Sequence, residues 1–267
     1  MPTPRLTELP DEVLRLVEKA SGPAVDVGTV SAGLNSAIAA RVRTTEHTLF
    51  VKGLPLDHPR VWTQDREAGV NPYVRDVAPK LHWHMEDDGW SLLGFEYVTG
   101  GHADFTPGSP DLPAVVATMT RLAEVPSPGI ELKSMPHRLR KYVDDPADLS
   151  WFAGNSLLHT EWNPHNVLMT NRGALFVDWA WASLGAAWID PALWLLWLIA
   201  HGHTPSQAEG EAAAHPAWEL APPAGLDALA LVQRRLWDSI AHQSPDDWAR
   251  PMQRAAQTWA EHRTGKL

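Results

Sequence analysis

Between residues 9 and 20 the apolar Val13, Leu14 and Val17 recur at helical spacing, and Ser21-Gly22-Pro23 ends the pattern, so a helix is expected there. The period then falls to two. Residues 25–30, 37–42 and 48–52 read as three short strands, with Ser31-Ala-Gly-Leu-Asn-Ser36 filling the first gap. Residues 60–70 return to a helical pattern. Two further strands follow at 80–85 and 92–98, split by the turn-like Glu86-Asp-Asp-Gly89.

Thr99-Gly100-Gly101 interrupts this alternation, and strands become scarce after it. Helical candidates lie at 112–124, 136–143, 188–200, 225–241 and 245–262, with an island of loops and strands at 155–177. The expected architecture is α+β: a small N-terminal β-sheet lobe with a leading helix, residues 1–98, and a mostly helical C-terminal lobe, residues 99–267.

Composition narrows the function classes. The net charge of −10 is spread, with ten Lys/Arg against fourteen Asp/Glu in residues 1–98 and twelve against eighteen in the rest. Nucleic acid and anionic membranes are bound chiefly by clustered Lys and Arg, so neither is an expected partner. The absence of cysteine removes disulfides, thiolate nucleophiles and iron–sulfur clusters. The first residues are charged and hold no apolar run before a cleavage site, and the longest apolar stretch, 186–200, is interrupted by Asp190-Pro191. A cytoplasmic location is therefore expected.

The strongest chemical signal is His159-Thr-Glu-Trp-Asn-Pro-His-Asn-Val-Leu168, followed by Leu175-Phe-Val-Asp-Trp179. Its form is H-x-acid-x4-N, then an apolar strand ending in Asp. Phosphoryl transfer needs such a set: a carboxylate, Glu161, to orient an attacking hydroxyl, and two oxygen donors, Asn166 and Asp178, to hold magnesium against phosphates. A strand, a turn at Asn171-Arg-Gly173 and a second strand fit between Asn166 and Asp178, and the hairpin would bring the two together.

This segment resembles the catalytic and metal loops of the aminoglycoside phosphotransferase family, whose pattern is H-G-D-x-x-x-x-N and then an Asp after a hydrophobic strand. The resemblance implies a bilobal protein-kinase-like fold across most of the chain. It also implies further residues upstream, and each has a counterpart. Lys52, ending Leu49-Phe-Val-Lys52, would neutralise the α- and β-phosphates of ATP or GTP. Glu67 on the next helix would hold that lysine. In Phe95-Glu-Tyr-Val98, the Glu96 carbonyl and the Val98 amide would meet the adenine edge, and Gly33 stands where a loop covering the phosphates belongs. The implied activity is magnesium-dependent transfer of a γ-phosphate to a hydroxyl of a small molecule, a cationic antibiotic or related natural product among the acceptors, with resistance by inactivation as the implied role. A nucleotide-binding pseudokinase is the alternative.

One position departs from the pattern: Glu161 stands where the family has Asp, which moves the carboxylate out by ~1.5 Å, one carbon–carbon bond. Asp190-Pro191 resembles the family's Asp after the metal loop, and also reads as a helix N-cap followed by Pro at the first helical position. Six of the fourteen tryptophans fall between Trp162 and Trp197, where core packing is a better reading than a stacking wall. The pairs His82/His84 and His201/His203 lack a third ligand at suitable spacing, so no zinc site is expected from sequence. The resemblance implies an acceptor bound by the C-terminal helices, whose acids here, Glu209, Glu211, Asp238, Asp246 and Asp247, are candidates to meet it.

Overall fold

The computed structural model describes residues 9–29, 36–244 and 247–265, so the expectations for Gly33 and Asp246 lie outside the described residues. The chain divides into two compact units, one of Met1–Gly100 with Phe176–Trp181, the other of Gly101–Leu175 with Ala182–Leu267.

In the first unit a leading helix, α1 (Asp11–Ser21), precedes β1 (Ala24–Thr29), β2 (Ile38–Thr44) and β3 (Thr48–Pro55). Helix α2 (Trp62–Val70) follows, then β4 (Leu81–Asp87) and β5 (Trp90–Glu96). The strands form one antiparallel sheet in the order β1-β2-β3-β5-β4. Val13, Leu16 and Val17 of α1 share a core with Ile38, Ala40, Val42, Leu49, Val51 and Leu92. Because strand side chains alternate, burying Leu49 and Val51 on that face sends Lys52 to the other.

The β4–β5 turn is tighter than the sequence pattern indicates. β4 runs on to Asp87, and only Asp88 and Gly89, with φ of 48° and 83°, make the reversal. Two consecutive positive φ values give the turn whose twist suits a hairpin, and Asp-Gly tolerates it. Gly94 of β5 is required for a different reason: a Cβ there would lie 2.2 Å from the Trp83 ring.

Among the described residues the second unit holds two three-stranded sheets and six α-helices. β6 (Gly101–His102), β9 (Val167–Thr170) and β10 (Gly173–Phe176) form one sheet in the order β10-β9-β6, with the last residue of β10 grouped in the first unit. β7 (Lys133–Ser134), β8 (Ser156–Leu158) and β11 (Ser183–Gly185) form the other, in the order β7-β11-β8. The helices are α3 (Leu112–Ala123), α4 (Met135–Leu139), α5 (Ile189–Ala200), α6 (Pro205–Ala212), α7 (Pro223–Gln243) and α8 (Arg250–Thr264). Helix α5, Ile-Asp-Pro-Ala-Leu-Trp-Leu-Leu-Trp-Leu-Ile-Ala, is apolar on nearly every side and buried to match, with α6 and α8 packed against it. Of the six tryptophans from Trp162 to Trp197, four (Trp162, Trp179, Trp188 and Trp194) are buried, in keeping with the core-packing reading.

Two helices depart from the sequence pattern. α4 stops at Leu139, because the Tyr142 N–H turns back to the Leu139 carbonyl instead of continuing the helical ladder. α6 has no expected counterpart; its Gln-Ala-Glu-Gly-Glu sequence lacks an apolar stripe, and a capping box between Thr204 and Gln207 starts it. Among the described residues no helix is long and apolar enough to cross a membrane.

Candidate active site

Three of the expected residues meet in the first unit. Lys52, on the face of β3 away from α1, places Nζ 2.6 Å from a Glu67 carboxylate oxygen and 3.5 Å from Asp178 Oδ1. Glu67 belongs to the buried stripe of α2, with Thr63, Gln64 and Val70, so the helical repeat presents it inward. Asp178 arrives on the short segment that returns to this unit. There the Phe176 N–H bonds the Val77 carbonyl, and the buried Trp179 indole donates to the Phe176 carbonyl at 2.9 Å. Asp178 itself has φ 65°, a left-handed conformation held by this packing on either side.

Lys52 and Glu67 are both buried. Burial works to lower the lysine's pKa, but the Glu67 and Asp178 carboxylates outweigh it and hold the ammonium above its ordinary range. Burial pushes the Glu67 carboxyl up, against the pull of Lys52. The cluster therefore keeps a fixed positive charge in a dry setting, beside a carboxylate that is only partly covered.

At the end of β5 the backbone leaves the sheet. Glu96 N–H bonds the Lys80 carbonyl and Tyr97 N–H bonds the Thr48 carbonyl, whereas no hydrogen bond engages the Val98 N–H among the described residues.

The loop carrying Glu161 and Asn166 lies in the second unit. The Asn166 side-chain amide donates to the Glu161 carbonyl at 3.1 Å, which ties the two ends of the loop and leaves Asn166 Oδ1 as the side chain's acceptor. Asn163 caps the 3-10 turn before β9 by accepting from the His165 N–H. Asn166 immediately precedes β9 and Asp178 follows β10 by two residues, so one hairpin carries both oxygen donors.

Asp190 organises the same loop. One carboxylate oxygen accepts from the His159 N–H at 2.8 Å, the other from the Thr160 N–H at 3.0 Å and the Trp162 indole at 2.9 Å. Burial pushes its pKa up from 3.8 to about 6, against these donors and the nearby Arg138 guanidinium. The helix-cap reading of Asp190 is corrected: Trp188 occupies the N-cap of α5 without a side-chain cap, and the Asp190 carboxylate serves the Glu161 loop instead.

Two contributors escaped the sequence reading. Thr160, at the position of the family's Gly, has φ 67°, which is costly for a β-branched residue. Arg138 of α4 donates to Thr160 Oγ1 and Ser183 Oγ, each at 2.8 Å, and so fastens that strained residue to β11. The only signal in sequence was Thr in place of Gly, which does not reveal a partner. The C-terminal acids are largely engaged within the unit: Glu209 accepts from the Trp259 indole at 3.0 Å, Asp238 from Gln253 at 3.0 Å, and Asp247 pairs with Arg250.

The antiparallel sheet unit followed by the mostly helical unit is a protein-kinase-like fold, the class expected from the motifs. No family model and no curated protein matches the sequence. Among solved structures, choline kinase LicA from Streptococcus pneumoniae is similar over 94% of this chain and 98% of its own, with a TM-score of 0.67 at 13% identity. A thermostable mutant of aminoglycoside phosphotransferase APH(4)-Ia is similar over 94% and 99%, with a TM-score of 0.63 at 16% identity. Macrolide 2'-phosphotransferase MphH from Brachybacterium faecium is similar over 92% and 98%, with a TM-score of 0.55 at 19% identity. Structures of LicA with AMP, and of the APH(4)-Ia mutant with AMP-PNP and hygromycin B, are among these neighbours.

Proposed function

We propose that this chain is a small-molecule O-phosphotransferase acting in the cytoplasm, which moves the γ-phosphate of ATP or GTP to a hydroxyl of an antibiotic or related natural product and so inactivates it. The observation that carries this reading is the buried Lys52–Glu67–Asp178 cluster, with Nζ at 2.6 and 3.5 Å from the two carboxylates. The small-molecule kinases and nucleotide complexes among the structural neighbours support it.

In this reading Lys52 neutralises the α- and β-phosphates, and Glu67 fixes the position of its ammonium. The Glu96 carbonyl and Val98 amide hold the adenine edge. Asn166 and Asp178 would hold magnesium, which when bound would offset the charge of the phosphates. Glu161 accepts the hydroxyl proton as the acceptor oxygen bonds to the γ-phosphorus. The bond from that phosphorus to the bridging oxygen breaks, and the nucleoside diphosphate leaves with that oxygen. Catalysis then rests on positioning and electrostatics, so a longer carboxylate at 161 is workable if its loop is built for it. The ties from Asp190, Arg138 and Asn166 support such a loop.

Glu161 in place of Asp also favours a second reading, a pseudokinase that binds nucleotide for a regulatory or scaffold role. Single-turnover phosphotransfer with magnesium ATP and a panel of hydroxylated antibiotics, run on wild type, Glu161→Gln and Glu161→Asp, separates the two. The enzyme reading expects transfer by wild type, a steep loss with Gln at little change in nucleotide affinity, and up to ~100-fold loss with Asp. Nucleotide binding with no transfer to any acceptor by all three proteins supports the pseudokinase, and an active wild type indifferent to Gln removes Glu161 from the mechanism.

A further inference from the structure

A second group of metal-ligating side chains lies on the first unit, apart from the lysine cluster. His84 and Glu86 are two residues apart in β4 and leave the strand on the same face. Asp65 reaches them from α2. One ligand atom of each lies within 4.8 Å of the other two. His84 Nε2 stands 3.9 Å from Asp65 Oδ1 and 3.1 Å from Ser91 Oγ of β5, a contact that gives way when that nitrogen takes an ion. Among the described residues no Arg or Lys pairs with Asp65 or Glu86. Two carboxylates thus converge on an imidazole with no cation to offset their repulsion, in a chain whose net charge is −10.

We propose that Asp65, His84 and Glu86 form a site for a divalent transition-metal cation such as zinc that bridges α2 to β4. The imidazole nitrogen sets the selectivity, since magnesium and calcium favour all-oxygen sets whereas zinc accepts nitrogen with carboxylates. The exposure of the two carboxylates leaves the remaining coordination to water. Asp65 precedes Glu67 by two residues in one rigid helix, so the ion fastens the element that presents Glu67 to Lys52. Sequence spacing hid the site because its third ligand comes from a different element. The site stands apart from the proposed phosphotransfer and does not depend on it.

Zinc chloride titrated by calorimetry into the full chain without nucleotide tests it, with thermal melts alongside. Wild type is expected to bind a single zinc ion saturably in the micromolar range and to melt higher with zinc present. His84→Ala and Asp65→Asn should each weaken that binding at least about ten-fold. His47→Ala, which removes the ring stacked 5.9 Å from His82, should leave it unchanged. The Asp65 side chain is 65% exposed, so its substitution leaves the fold intact and tests the site even where His84→Ala disturbs the strand. Wild type without saturable zinc binding, an affinity unmoved by Asp65→Asn, or a loss caused by His47→Ala in its place would overturn the proposal.

Discussion

Thr160 carries a conformation that the neighbouring residues must maintain. Left-handed backbone costs a non-glycine residue about 1–2 kcal/mol, and the charge-assisted bond from Arg138 to its hydroxyl offsets that cost. Thr160→Val keeps the strained backbone and loses the bond, whereas Thr160→Gly loses both. Glycine is therefore expected to leave the protein more stable than valine by about 1–2 kcal/mol in denaturant unfolding, and the reverse order would show that the strain is not borne there. Asp190 supplies a pH signature. Its folded pKa of about 6 lies above the ordinary 3.8, so its proton favours the folded state and that contribution is lost as pH rises. The stability of wild type relative to Asp190→Asn should be greatest below about pH 4 and fall by roughly 3 kcal/mol as pH rises through about 6. A difference that stays flat over that range would contradict the assignment. Glu161 and Asn166 were legible because their motif is local in sequence. Arg138 was not, because its partners Thr160 and Ser183 lie 22 and 45 residues away and nothing in the helix containing it points to them.

At the scale of elements, alternation along β3 and the helical repeat of α2 together decide that Lys52 and Glu67 face each other. The side of β3 that carries Lys52 could be read from sequence, since Leu49 and Val51 define one face of the strand and leave Lys52 the other. The inward face of α2 could not, because its buried residues are mostly polar and give no apolar stripe. α6 was missed for a related reason, being a short helix fixed by a capping box and by packing against α5. The Lys52–Glu67 pair should behave as one unit. Lys52→Ala is expected to lower nucleotide affinity or turnover steeply, and Glu67→Ala to follow it by misplacing the ammonium. The double variant should be little worse than the worse single one in a double-mutant cycle read by nucleotide binding. Full additivity would mean that the pair does not act together on nucleotide.

For the whole molecule, the order of elements carried the fold further than any single motif did. Three strands, a helix, two strands and then mostly helices are what the structure contains, and the kinase-like neighbours share that arrangement at 12–19% identity. A fold is set by many positions along the chain whereas an acceptor is recognised by a few side chains brought together in space, which explains why the fold was legible when the acceptor was not. Acids that sequence offered for the acceptor are partly engaged within the helical unit, as Glu209 shows with Trp259 and Arg263. The central claim is that this scaffold transfers phosphate, and it depends most directly on Asp178. Transfer of labelled γ-phosphate from magnesium ATP to a panel of hydroxylated antibiotics should be measured for wild type and Asp178→Asn side by side, with a thermal melt of each. The account predicts a labelled acceptor with wild type, none with Asp178→Asn, and closely similar melts. Near-normal transfer by Asp178→Asn, or none by wild type to any acceptor, would contradict it.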